Sequence, residues 1–148
     1  MLLENTRILK KPFFSIVIPT YNRASDLQFA LYCILRQTFS DFEVVISDNC
    51  STDNTKVVVQ MLKNKKIRYS RATKTVGNAL NMERAIKMAQ GKYVLLHSDD
   101  DFFLYENSLE EIYKEIIIHN PGYVRVNYIN ISFMKFLGRF LSGNLMCL

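Results

Sequence analysis

At 148 residues, 49% hydrophobic and 22% charged, the chain is long enough to bury a core and too apolar for a disordered segment, so it reads as one domain. A net charge of +5 is a mild bias towards anionic partners, but the basic residues are scattered, which argues against nucleic-acid binding. Three cysteines without metal-type spacing, Cys33, Cys50 and Cys147, fit a reduced compartment.

Glu4 and Arg7 precede any apolar run, unlike a signal peptide, and no stretch reaches the roughly 18 apolar residues of a spanning helix. The expectation is a cytoplasmic protein, peripheral to a membrane at most. The β-rich run over residues 14–18 reads as a buried strand stopped by Pro19. Ser25 or Asp26 then caps a helix with Leu27, Ala30, Leu31, Ile34 and Leu35 on one face. A second strand is expected over 43–47, and Ser51 caps a helix with Val57, Val58, Met61 and Leu62 inward. Lys63, Lys65, Lys66 and Arg68 are read as charges at that helix's end.

A third strand is expected over 67–70, a helix over 78–90 stopped near Gly91, and a fourth strand over 93–97. Ser108-Leu109-Glu110-Glu111 has capping-box form and opens a helix with Leu109, Ile112, Tyr113, Ile116 and Ile117 inward. Pro121-Gly122 ends it, and residues 123–131 look strand-like. Strands alternating with helices give an α/β class with a mostly parallel sheet covered on both faces.

The most informative segment is His97-Ser98-Asp99-Asp100-Asp101, just after the fourth apolar run. Adjacent carboxylates at a strand end raise one another's pKa values unless a cation sits among them, and hard oxygen ligands suit Mg²⁺ or Mn²⁺. Open α/β sheets bind ligands at such strand ends. The chain has five glycines but neither a G-x-G-x-x-G turn nor a Walker A loop, so a bound diphosphate would depend on side chains and a metal.

Four motifs in order carry a family resemblance. Pro19-Thr20-Tyr21-Asn22-Arg23 comes after the first strand, and Asp48-Asn49-Cys50-Ser51-Thr52-Asp53-Asn54-Thr55 after the second. Gly77, Asn81, Ala85 and Ala89-Gln90-Gly91-Lys92-Tyr93 come next, and then the 97–101 cluster. Together they resemble family-2 glycosyltransferases of the GT-A fold over residues 12–121.

The resemblance implies a single GT-A-like domain over 1–148, with a donor-binding core over 12–121 and an acceptor-side or C-terminal element over 122–148. It implies sugar transfer from a nucleoside-diphosphate donor, a UDP-sugar in preference, to a hydroxyl of a saccharide or lipid-linked acceptor, with Mn²⁺ or Mg²⁺. Pro19, Thr20, Tyr21, Asn22, Asn81, Ser98 and Asp99 would contact the nucleotide, Tyr21 offering a ring face. Asp48 would accept a hydrogen bond from the base N–H. Asp99 and Asp100 would hold the metal, with Asp101 either a third ligand or a neighbour, since S-D-D and D-D-D registers both fit.

Each residue also has a plainer reading. Tyr21 could be packing, Asn22 a turn residue, Asp53 a helix-dipole partner and His97 a hydrogen-bonded core histidine. A response-receiver-like domain, phosphorylated on Asp48, would leave the Pro19–Asn22 turn without a role.

Inverting members of the family use a late carboxylate as general base. Here the last Asp or Glu is Glu115, and Glu106, Glu110, Glu111 and Glu115 read as capping or surface charges. His119 lies at a helix end. Phe133, Phe136, Leu137, Phe140 and Leu141, with Lys135 and Arg139 opposite, form a stripe over 133–141 that suits a membrane interface or, as the favoured reading, simple packing. The alternative to an active transferase is a truncated, non-catalytic nucleotide-sugar-binding domain.

Overall fold

The computed structural model describes residues 11–126. The stripe over 133–141, Cys147 and the 127–131 part of the last expected strand lie outside them. The chain divides into two compact units, Met1–Ala30 with Asp41–Asp101, and Leu31–Ser40 with Phe102–Leu148.

The chain enters through β1 (Phe14–Thr20), α1 (Ala24–Leu35), β2 (Phe42–Asp48) and α2 (Thr55–Leu62), then runs through β3 (Ile67–Arg71), α3 (Asn78–Lys87) and β4 (Tyr93–Leu96). The four strands lie in one sheet of order β3-β2-β1-β4, with every adjacent pair parallel. Successive strand residues point to opposite faces, and all seven of β2 are buried, so both faces of the sheet centre are covered. Ile16, Val17, Ile18, Val44, Val45 and Ile46 are fully buried, each contributing about 1.5–3 kcal/mol relative to exposure. Ala85, Met88 and Ala89 pack on Val17 and Val45.

The strand order matters for function. The chain leaves β1 to build β2 and β3 on one side, then returns to lay β4 on the other. The C-terminal ends of β1 and β4 therefore flank a topological switch point, where open α/β sheets leave a crevice.

The opposite end of the sheet is closed by a buried knot. Glu43 Oε1 accepts from Ser15 Oγ and from the Gln90 N–H, both at 2.6 Å, and Glu43 Oε2 accepts from Arg68 Nη1 at 2.9 Å. Ser15 Oγ accepts from the Gly91 N–H at 2.8 Å. A Cβ at Gly91 would stand 2.6 Å from Ser15 N and 2.8 Å from Phe14 C, so only glycine permits this approach. Nothing within 4 Å would meet a Cβ at Gly77, so the structure shows no steric need for that motif glycine.

Several local expectations are corrected. β1 does not stop at Pro19. Phe13 O and Val17 O accept from Tyr93 and His97 on the β4 side, while Thr20 O accepts from Asn49 beyond β2. Alternation turns Pro19 towards β4, whose pairing has already ended at Val17 and Leu96, so its missing N–H costs no ladder bond. Helix α3 ends at Lys87 rather than 90, because the Gln90 and Gly91 N–H groups are drawn to Glu43 and Ser15. Arg68 lies in β3 and pairs with Glu43, so it is not a helix-end charge.

The expected caps also differ. Ser25 and Asp26 lie inside the first turn of α1, and the Ala24 N–H is instead held by Asp53 Oδ2 at 2.9 Å. Helix α2 begins at Thr55, not after Ser51, with Asp53 Oδ1 accepting from Thr55 N at 3.0 Å and Thr55 Oγ1 at 2.6 Å. Its buried residues are Thr55 and Val59, while Val57 and Met61 are exposed. The N-cap is Asn54, three residues beyond Ser51, and the inward face is set by Thr55 and Val59.

In the second unit, α4 (Ser108–His119) buries Leu109 and Ile116. Ile117, expected inward, is 54% exposed. The capping box does not form: Ser108 Oγ donates to Tyr105 O at 2.8 Å, and the Leu109 N–H is taken by Gln37 Oε1 at 2.9 Å. Gln37 Nε2 also donates to Tyr105 O, so one buried amide joins residues 37, 105 and 109. Asn120, in the left-handed region at φ 44°, terminates α4 ahead of Pro121. Residues 123–126 form no strand. No helix among the described residues is long and apolar enough to cross a membrane.

Candidate functional site

Within the first unit, a cavity of about 550 Å³ opens at the switch point. Pro19, Thr20, Tyr21 and Arg23 reach it from the turn after β1, and Ser98, Asp99 and Asp100 from the turn after β4. Asn49, Val76, Asn81 and His97 complete much of the wall.

The first turn is rigid because it is stitched to the loop after β2. Asn22 takes a left-handed conformation at φ 52°, which an Asn tolerates better than most residues. Its N–H donates to Ser51 Oγ at 2.9 Å, and its Oδ1 accepts from Thr52 N at 2.7 Å. Asn49 N donates to Thr20 O at 2.9 Å. Asn49's own amide bonds both ways to the Val76 backbone at 2.8 Å, fixing the segment before α3. Burial pushes the Asp53 carboxyl up, but its bonds from Thr55 and Ala24 bring it net below the usual range.

Asp48 is fully buried and densely engaged. Its Oδ1 accepts from Ser51 N at 2.8 Å, and its Oδ2 accepts from Tyr69 Oη at 2.5 Å and faces Arg71 Nε at 3.7 Å. Burial and the bond to Asp48 push the Tyr69 phenol well up, so it stays a proton donor. Sequence reasoning gave no role to Tyr69, Arg71 or Asn49, because the register that sets Arg71 opposite Asp48 appears only in the folded sheet. Asn81 lies in the wall, yet its Oδ1 accepts from Ser47 Oγ at 2.8 Å and its Nδ2 donates to Ser47 O at 2.9 Å. That amide pins α3 to the end of β2.

The acidic turn has split character. Asp99 is 6% exposed, and its carboxyl is raised mainly by burial, against the pull of Arg23. Asp100 is open to solvent and held low, first by the hydrogen bond from Ser98 Oγ and then by Arg23. Arg23 Nη1 lies 2.5 Å from Asp100 Oδ2 and 3.8 Å from Asp99 Oδ1. Beside this pair, Thr20 Oγ1 is buried and has no hydrogen-bond partner. The Thr20 hydroxyl and Arg23 both draw the Asp99 carboxyl down, but by less than burial raises it. His97 is buried, its Nδ1 is 2.8 Å from Ser98 O, and burial lowers its pKa.

The structure thus gathers Pro19, Thr20, Tyr21, Asn81, Ser98, Asp99 and Asp100 around one cavity. Asn22, Asp48 and Asp101 are not among its lining residues. Among the described residues, no group of three His, Cys, Asp or Glu side chains is placed to hold a metal ion. The Asp101 N–H closes a turn onto Ser98 O at 3.3 Å, with Asp101 itself exposed. Asp99 and Asp100 remain as hard oxygen donors beside an unpartnered hydroxyl. Such a donor set fits a divalent cation that takes its other ligands from substrate phosphates and water.

Comparison with known proteins places this arrangement. The sequence model of "Glycosyl transferase family 2" matches residues 15–144. UDP-Glc:alpha-D-GlcNAc-diphosphoundecaprenol beta-1,3-glucosyltransferase WfgD of Escherichia coli is 26% identical over 128 residues, covering 86% of this chain and 50% of that protein. The GalNAc(5)-diNAcBac-PP-undecaprenol beta-1,3-glucosyltransferase of Campylobacter jejuni is 34% identical over 119 residues, covering 78% of this chain and 37% of that enzyme. The crystal structure of Staphylococcus aureus TarS 1-349 in complex with UDP superposes with a TM-score of 0.69 at 28% identity, over 78% of this chain and 38% of that one. The chain therefore spans half or less of each relative's length.

Proposed function

This chain belongs to glycosyl transferase family 2 and has the GT-A fold, and from that premise we propose that its first unit binds the nucleoside-diphosphate part of a UDP-sugar whose sugar is transferred to a hydroxyl acceptor. The observation that carries the reading is the cavity at the switch point, where a buried unpartnered Thr20 hydroxyl and the Asp99–Asp100 pair face the same space. TarS has been solved with UDP, and the E. coli relative is named for UDP-Glc, which supports uracil over guanine. The same relative is named for a diphosphoundecaprenol-linked sugar, which supports a lipid-linked acceptor.

In this reading Tyr21, 45% exposed at the rim, presents its ring to the base. Thr20 Oγ1 gains the partner it lacks from the donor, and Pro19 and Ser98 shape the walls. Asn22 and Asp48 act one layer back, holding the turns and the end of β2 in place, while Asn81 stands in the wall and pins α3 to Ser47. Asp99 and Asp100 hold Mn²⁺ or Mg²⁺, which when bound neutralises charge on the departing nucleoside diphosphate. Burial of Asp99 strengthens that attraction, because a raised carboxyl gains most from a cation.

A second reading, a non-catalytic nucleotide-sugar-binding domain, is favoured by one observation. The acceptor hydroxyl must lose a proton as it attacks the anomeric carbon. In the second unit Glu106 pairs with Arg36, Glu110 and Glu111 with Lys114, and Glu115 with His119. These are surface ion pairs, not groups poised as a base. Donor hydrolysis separates the two readings, since slow release of UDP requires a reactive centre.

The direct test is calorimetric titration with UDP and with GDP, in Mn²⁺ and again in EDTA. Metal-dependent binding that prefers UDP is expected. A folded chain that binds neither nucleotide overturns the reading, and a preference for GDP overturns the choice of uracil.

A further inference from the structure

Arg23 contributes the one arginine or lysine side chain among the described residues lining the cavity. Its backbone is fixed: Arg23 O accepts from Leu27 N at 2.9 Å in the first turn of α1, and the preceding Asn22 is stitched to Ser51 and Thr52. Its side chain is 47% exposed, with open solvent rather than packed neighbours on one side. The guanidinium reaches both carboxylates of the acid pair, Asp100 at 2.5 Å and Asp99 at 3.8 Å. It therefore occupies the position from which those carboxylates would otherwise meet a cation.

Charge balance decides where the guanidinium goes when the cavity fills. Two adjacent carboxylates need a counter-charge, and Arg23 supplies one. A sugar diphosphate adds a negative charge on each phosphate, and a divalent cation on Asp99 and Asp100 leaves the sum negative. The guanidinium displaced from the carboxylates is then the remaining cation in the wall, and its planar fork suits phosphate oxygens.

We propose that Arg23 is an exchanging counter-cation: it holds Asp99 and Asp100 in the metal-free protein, and turns to the donor's diphosphate when a divalent cation takes the two carboxylates. This rests on the reading of the cavity as a nucleoside-diphosphate site. It makes metal and donor loading cooperative, because each step frees the group that the other needs. Arg23 is accordingly a positioning and specificity residue in the metal-free state and a donor contact in the loaded one.

The test uses calorimetry on the wild-type chain, Arg23→Gln and Arg23→Lys, with fold checked by circular dichroism. Mn²⁺ alone is titrated first, and then UDP at saturating Mn²⁺. Removing a half-exposed competitor should tighten Mn²⁺ binding by about threefold in Arg23→Gln. Loss of one charge-assisted contact should weaken UDP by about tenfold in that variant. Arg23→Lys should fall between on both titrations, since it keeps the charge and loses the fork. Unchanged or weaker Mn²⁺ binding in Arg23→Gln overturns the competition, and tighter Mn²⁺ with unchanged UDP overturns the exchange. A wild-type chain that binds Mn²⁺ but no UDP fails the reading of the site itself, which separates that failure from one of Arg23's role.

Discussion

The two ends of the sheet both bury carboxylates, and they treat them in opposite ways. At the N-terminal end Glu43 accepts from Ser15, Gln90 and Arg68, and every group in the knot has a partner. Burial pushes Glu43 up, yet those bonds bring it net below the ordinary range. At the C-terminal end Asp99 is equally buried, but Arg23 stands 3.8 Å off and the neighbouring Thr20 hydroxyl has no partner, and there the carboxyl is raised. A buried acid with its hydrogen bonds completed stabilises a fold. One left short of partners marks a candidate binding site.

The largest effect should come from breaking the completed end. Glu43→Ala removes the acceptor for a serine hydroxyl, a backbone N–H and a guanidinium, all inside or at the edge of the core. A loss of about 3 kcal/mol in unfolding free energy is expected, as for a buried pair stripped of one partner. Urea denaturation of the variant against wild type measures it. A change below about 0.5 kcal/mol, the usual size of a surface substitution, would mean that the knot is not what closes this end of the sheet.

That contrast was only partly legible in the sequence. The alternating class and the parallel sheet came from period and length, because buried runs such as residues 14–18 and 43–47 have few other ways to be satisfied. The acid cluster was visible because like charges in a row demand an explanation. What was not legible were bonds between distant residues: Glu43 with Gln90, Asn49 with Val76, Gln37 with Leu109. Capping rules assume that a helix end is served by its own neighbours, and they do not foresee an Ala24 N–H met by Asp53 at the start of α1 or a Leu109 N–H met by Gln37 at the start of α4. Arg23 was quoted as part of a motif, yet its partners lie 76 and 77 positions along the chain in the acidic turn.

A smaller effect on stability, with the opposite sign, should come from the unfinished end. Asp99→Asn removes a buried charge whose nearest cation, the Arg23 guanidinium, stands 3.8 Å away, so the metal-free protein should gain up to about 1 kcal/mol rather than lose it. The same variant should bind UDP in Mn²⁺ at least tenfold more weakly, on the order of one charge-assisted contact. Denaturation and calorimetry on one preparation read both quantities. Loss of stability alongside loss of binding would place Asp99 with Glu43 as a structural acid and erase the distinction between the two ends.

The pH dependence of stability sharpens the comparison with the smallest signal. Glu43's folded pKa lies below its ordinary 4.5, so its contribution is present above that pH and is lost as pH falls through the lowered value. Asp99's folded pKa lies above its ordinary 3.8, so its contribution is whole below 3.8 and is lost as pH rises through the raised value. In metal-free buffer, wild type should therefore be more stable than Glu43→Gln at neutral pH and approach it on acidification. Wild type should be less stable than Asp99→Asn at neutral pH and also approach it on acidification. The two gaps close from opposite sides. If both variants lay on the same side of wild type at neutral pH, completed and uncompleted acids could not be told apart by their hydrogen bonds, and the cavity would keep its shape but lose its electrostatic claim to a ligand.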